Sequence, residues 1–164
     1  MTQNIDQYVI VTMLPLALLS WVIARLWSSR SKTPFLRGFV SLLSISLIFS
    51  VTIVGRMFEL SSWGNGTLTV SWLMDSALCG DVIRLDKPWF LNVILFAPAG
   101  LTTTLVFPKA IRVIAGLVVL SILIEFVQRW WMLGAADPAD LIANCIGAAI
   151  GVTSARVLKR ASGR

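Results

Sequence analysis

The sequence predicts an all-α membrane protein, a bundle of five transmembrane helices forming a single domain over residues 1–164. Three observations carry this prediction. The chain is 57% apolar and only 13% charged, with a mean hydropathy of +0.83, whereas an ordinary soluble domain carries about 25% charged residues. Five segments approach the roughly 20 helical residues that cross a hydrocarbon core of about 30 Å. The charges lie between those segments and sort by sign to two sides.

The spans are Tyr8 to Trp27, Phe39 to Val54, Trp89 to Phe107, Ile111 to Trp131 and Ala139 to Leu158. The first is expected to be a retained span rather than a cleavable signal: Asp6 precedes it, its basic residues follow it, and no small-residue cleavage pattern is present. The second carries Ser41, Ser44, Ser46, Ser50 and Thr52. Such hydroxyls bond back to helix carbonyls or across to a neighbour, so they are expected to face protein rather than lipid. In the third, Pro98 should kink the helix and free a carbonyl, and Gly100 should allow close packing.

Orientation follows from the basic residues. One set of connections holds Arg25, Arg30, Lys32, Arg37, Lys109, Arg112, Arg156, Lys159, Arg160 and Arg164 and no acid. All eight acids fall on the other side or in the adjoining half of a span. The excess of Lys and Arg marks the first set as cytoplasmic, which places the N-terminus outside and the C-terminus inside. The net charge of +6 is then explained by membrane-surface anchoring to anionic lipid, not by nucleic acid.

Residues 56–88 form the one long connection and are expected outside. Trp63-Gly64-Asn65-Gly66 is a turn signal, and the TLTVSW run alternates so that Leu68, Val70 and Trp72 share a side, as in a short strand or flap at the interface. Asn65-Gly66-Thr67 matches a glycosylation pattern, but Asn-Gly is equally a turn dipeptide. With no His in the chain and no metal spacing between Cys79 and Cys145, no metal site and no cofactor are expected. Cys145 sits in a predicted span, which argues against a disulfide to Cys79.

The candidate site lies where the fourth and fifth spans approach their acidic turn. Glu125 and Gln128 stand at i and i+3 on one side of their helix. Asp137, Asp140, Asn144, Gly147 and Gly151 advance by three, four, three and four residues and trace one stripe. At about 1.5 Å per residue, Glu125 and Asn144 both sit roughly 7–9 Å below the outer surface. Asn92, three residues into the third span, is shallower in the same half. Carboxylates and carboxamides inside apolar helices are costly and face a partner or a cavity. Asp137-Pro138 also reads as a helix start, with Asp137 as N-cap, and Asp140 can cap as well. Asn144 has an alternative reading as an interhelical hydrogen bond. Gly147 and Gly151 make a small-xxx-small packing seam.

These residues carry a resemblance. Asn92-x-x-x-Phe96-x-Pro98-x-Gly100, then Ser121-x-x-x-Glu125-x-x-Gln128, then Asp137-x-x-Asp140-x-x-x-Asn144-x-x-Gly147-x-x-x-Gly151 resemble three ordered motifs of the VanZ-like family of bacterial membrane proteins. The resemblance covers about residues 86–158; the first two spans carry no matching motif. The family often has an Arg ten residues before the Asn of the third motif, where this chain has Gly134; Arg129 is the nearest cation that could stand in. The resemblance implies a multi-pass protein of the bacterial cytoplasmic membrane. It also implies a link to glycopeptide resistance, since the founding member is associated with low-level resistance to teicoplanin.

The expected function is an outer-leaflet polar pocket that binds or processes an amphiphile, either a lipoglycopeptide or a lipid-linked envelope component. Glu125 would be the central acceptor or proton-transfer group, Gln128, Asn92 and Asn144 would orient polar groups, and Asp140 would add charge near the mouth. Two other classes stand beside it. An enzyme could use the carboxylates as acid and base or as oxygen ligands, although no nucleophile or phosphate loop is marked. A structural or partner-binding module would make the same residues a satisfied interhelical network. Proton-coupled transport finds no polar chain continuing inward.

Overall fold

The computed structural model describes residues 5–31, 33–54, 87–130 and 138–163. Among these residues five α-helices follow in order: α1 Ile5–Arg30, α2 Phe35–Phe49, α3 Lys87–Val106, α4 Ala110–Trp130 and α5 Pro138–Ala161. A π-helical turn, Ser50–Val54, continues α2. All five are long and apolar enough to cross a membrane, α2 together with its π turn. No strand occurs among the described residues. The alternating stretch of Leu68, Val70 and Trp72, the Asn65 pattern, Cys79 and Asp137 lie outside them, as does almost all of the 56–88 connection.

The helices begin and end where backbone chemistry requires. Pro34, with ψ at 132°, stands just ahead of α2, and its ring pre-sets the φ of a helix entrance without needing a donor. α2 therefore starts four residues earlier than the sequence suggests, and Arg37 lies within its first turn. Residues 107–109, Phe107-Pro108-Lys109, turn the chain between α3 and α4, and so short a link makes these helices antiparallel. Pro98 lies inside α3 without ending it. The large side chains that remain exposed, such as Leu14, Leu18, Leu36, Ile94 and Ile111, are those of a surface whose solvent is hydrocarbon.

The tightest packing joins α3 and α5. Val93 stands against Gly147, Ala97 against Gly151, and Thr104 against Lys159. A nearly constant offset along both helices means that they run parallel in register. The contact is backbone on backbone. A Cβ added at Gly151 would overlap the Ala97 carbonyl oxygen and lie 2.7 Å from the Leu101 nitrogen; one at Gly147 would meet the Val93 carbonyl, and one at Gly100 would stand 2.5 Å from the Ala148 oxygen. Lipid chains are as apolar as leucine, so close van der Waals contact rather than hydrophobic exclusion drives helices together here. The small-residue seam read from Gly147 and Gly151 is thus the centre of the bundle, and Gly100 completes it from the α3 side.

Hydroxyls join the remaining helices. Ser20 of α1 pairs with Ser46 of α2 at 3.0 Å, and Thr12 with Ser50 at 2.8 Å. Ser41 of α2 pairs with Thr103 of α3 at 3.0 Å, and Thr102 donates to Ser44 at 3.3 Å. The serine-rich face of the second span therefore does face protein, each bond contributing on the order of 0.6 kcal/mol. Aromatic rings mark both ends: Trp27 on Phe107 and Phe35 on Phe39 at one, Trp89 on Phe90 and Phe126 on Trp130 at the other.

Replacing Gly151 by Ala should cost about 1–3 kcal/mol, because the new methyl must displace a backbone carbonyl rather than a flexible side chain. Gly116, where an added Cβ meets nothing within 4 Å, should accept Ala without loss. Thermal unfolding of the two detergent-solubilised variants checks the contrast.

Candidate functional site

The buried face of α4 is Ala110, Val113, Leu117, Ser121, Ile124, Glu125 and Gln128. The spacing of three and four keeps one stripe toward the bundle, and that stripe turns from apolar to polar as it approaches the end away from the basic connections. Glu125 is 7% exposed and Gln128 only 2%. On α5, Asn144 is also 2% exposed. The three side chains that the sequence singles out most strongly are therefore all buried inside protein and none faces lipid.

Two hydrogen bonds tie this layer together. Asn144 Nδ2 donates to Ser121 Oγ at 2.8 Å, joining α5 to α4. Gln128 Nε2 donates to the Thr52 carbonyl oxygen at 2.9 Å, joining α4 to the π turn that follows α2. Thr52 in turn donates its hydroxyl to the Ile48 carbonyl at 2.7 Å. The layer runs across α2, α4 and α5. Of the two partners, Ser121 was visible in sequence as the residue one turn before Glu125, on the same face. The Thr52 carbonyl carried no sequence signal, because a backbone acceptor is present at every position.

The opposite atoms of the two amides are not satisfied. Gln128 Oε1 and Asn144 Oδ1 are buried and accept no hydrogen bond from the described residues, and Arg129 Nε is likewise buried without a partner among them. An unmet buried acceptor costs about 1–3 kcal/mol, and such atoms ordinarily have a donor. Glu125 and Asp140 are each engaged by their surroundings. Asp140 is half-buried in the first turn of α5, where a carboxylate is favoured by the helix dipole.

The other predicted residues are placed less centrally. Asn92 is half-buried on α3 and makes no side-chain hydrogen bond among the described residues. At that level α3 instead presents Trp89, packed with Ala139 and Ala143 of α5 and with Val93. Arg129 is half-buried beside Gln128. Pro98 is exposed on α3, whereas Gly100, Gly147 and Gly151 are buried. No group of three or more Cys, Asp or Glu suited to a metal occurs among the described residues. A cleft of about 520 Å³ lies in the other half of the bundle, around Arg112 and Gly116, and no member of the polar layer lines it.

Five helices able to cross a membrane, a glycine-seamed parallel pair among them and a buried polar layer between them, define the class: a multi-pass membrane protein. Residues 16–159 match the sequence model of the VanZ/LLP1 family. The chain belongs to the VanZ-like family, and the match takes in the second span and the first from residue 16 onward, beyond the three motifs. No curated protein and no solved structure matches it.

A double-mutant cycle on Asn144→Ala and Ser121→Ala should return a coupling of about 0.6 kcal/mol, and up to about 1.7, if their bond persists in the membrane. Unfolding of the four proteins in bicelles measures it.

Proposed function

We propose that the layer formed by Glu125, Gln128 and Asn144 binds an amphiphile, a lipid-linked envelope component or a lipoglycopeptide such as teicoplanin, through the ligand's hydrogen-bond donors. The observation that carries this reading is the pair of buried amide oxygens, Gln128 Oε1 and Asn144 Oδ1, that no described residue satisfies. Sugars, amides and amines at the polar boundary of an amphiphile supply donors of the required kind. Glu125, buried beside them on α4, would add the strongest acceptor. Asp140 in the first turn of α5, Asp137 ahead of it, Arg129 and Asn92 would bear on polar groups at the mouth.

In this proposal the protein resides in the bacterial cytoplasmic membrane with its N-terminus outside. The basic connections face the cytoplasm and the polar layer lies in the outer leaflet. Membership of the VanZ-like family is consistent with a link to glycopeptide resistance. Ligand binding needs no cofactor.

A second reading has its own support. The Asn144–Ser121 and Gln128–Thr52 bonds both join separate helices, as a purely structural or partner-binding network would. Expression of wild type, Glu125→Ala and Glu125→Gln at equal membrane levels in a teicoplanin-sensitive bacterium separates the two. Loss of the resistance or lipid phenotype with thermal stability retained is expected for a ligand site. Loss of stability and abundance is expected for a structural network, and an unchanged phenotype in a stable Glu125→Ala protein removes Glu125 from the site.

A further inference from the structure

The two halves of the bundle differ in how α4 is held. At the polar end it touches the π turn that follows α2, through Gln128 and Thr52. Toward the basic end α4 and α2 part, leaving the cleft of about 520 Å³ lined by Ile45 of α2, Thr103 and Phe107 of α3 and its short link, and Arg112, Gly116 and Leu117 of α4. This volume falls within the roughly 300–1,000 Å³ of small-ligand sites. Gly116 is exposed and has open space where its Cβ would be, and Phe107 is exposed too, its ring seated on Trp27 at 5.5 Å.

The lining is apolar except at the mouth. The Thr103 hydroxyl is already paired with Ser41, so it does not compete for a ligand. Arg112 is the one cation of the lining, exposed in the first turn of α4 with Lys109 exposed just ahead of it. No acid occurs in residues 25–31, 33–37, 107–112 or 156–163, the segments that gather at this end. Glu125 is thirteen residues further along the same helix, about 20 Å away. A guanidinium and a helix N-terminus at the mouth of an apolar groove both favour an anion carried on a hydrocarbon chain.

We propose that this groove is a binding site for an anionic phospholipid, one acyl chain lying along Leu117 and Gly116 and the phosphate held at Arg112. It stands apart from the polar layer and does not depend on what that layer binds. The Arg112 side chain sets the headgroup preference and the missing side chain at Gly116 makes room for the chain.

Native mass spectrometry of the full chain released from detergent, titrated with phosphatidylglycerol or with phosphatidylcholine of the same acyl chains, tests it. Wild type should retain phosphatidylglycerol in preference to phosphatidylcholine. Arg112→Gln should cut that preference about fivefold, the factor equivalent to about 1 kcal/mol per cation at a membrane surface. Gly116→Leu should lower retention of both lipids, while Val119→Phe, at another exposed α4 position, should change neither. Circular dichroism establishes that each variant keeps its helices; should Gly116→Leu not fold, Arg112→Gln alone decides. Equal retention of the two lipids by wild type, a preference untouched by Arg112→Gln, or undiminished retention by a folded Gly116→Leu protein would overturn the assignment. So would conversion of a dimer to a monomer by Gly116→Leu with lipid retention intact, which would give the groove to a second copy of the chain.

Discussion

The close approach of α3 and α5 is the constraint on which the rest of the structure depends. Three glycines remove the side chains that would hold the two backbones apart, and carbonyls occupy the space instead. Because α5 is pinned along one face to α3, its neighbouring face is aimed at α4. That is how Asn144 comes to Ser121 while Gly147 and Gly151 meet Val93 and Ala97. A residue on α5 thus has little rotational freedom, and a polar side chain there keeps a fixed target. The precision of the intramembrane layer is inherited from a backbone-on-backbone seam at Gly100, Gly147 and Gly151.

Parallel neighbours carry an electrostatic penalty, since their dipoles point the same way. The sequence places countercharges at both ends of the pair. Asp140 lies in the first turn of α5, and Lys159 and Arg160 lie in its last. Lys159 also donates its ammonium to the Thr104 carbonyl of α3 at 2.6 Å. It thereby satisfies one of the last carbonyls of that helix and serves both C-termini at once. One member of the basic tail, read from sequence as a surface anchor, has a specific partner within the fold.

Much of this was legible in the sequence, and the reasons are physical. Membrane solvation demands long apolar helices, so their number and approximate limits follow from composition. The hydroxyl-rich second span had to face protein, and it does. Burial of Glu125, Gln128 and Asn144 followed from the cost of leaving such groups in lipid. Spacing alone could not say which neighbour each would meet. Asn144, Gly147 and Gly151 read as one stripe, yet that stripe serves two helices, α4 and α3. The participation of α2 was invisible because it comes through the Thr52 carbonyl within a π turn, and neither a backbone acceptor nor a local change of helical pitch is written in side-chain periodicity. Asn92 is half-buried on α3, and beside it the same helix packs Trp89 against Ala139 and Ala143 of α5, a contact that side-chain spacing did not mark.

The order of the chain gives the α3–α5 seam a temporal meaning. Its two halves are separated by the whole of α4, so a ribosome must complete and the membrane must accept a full return crossing before the partners can meet. Until then α3 stands in lipid with the flat, carbonyl-lined side around Ala97 and Gly100 uncovered. α5 is therefore the clasp of the assembly, and a nascent chain interrupted before Gly151 would be held only by the hydroxyl and Gln128–Thr52 contacts among its earlier helices.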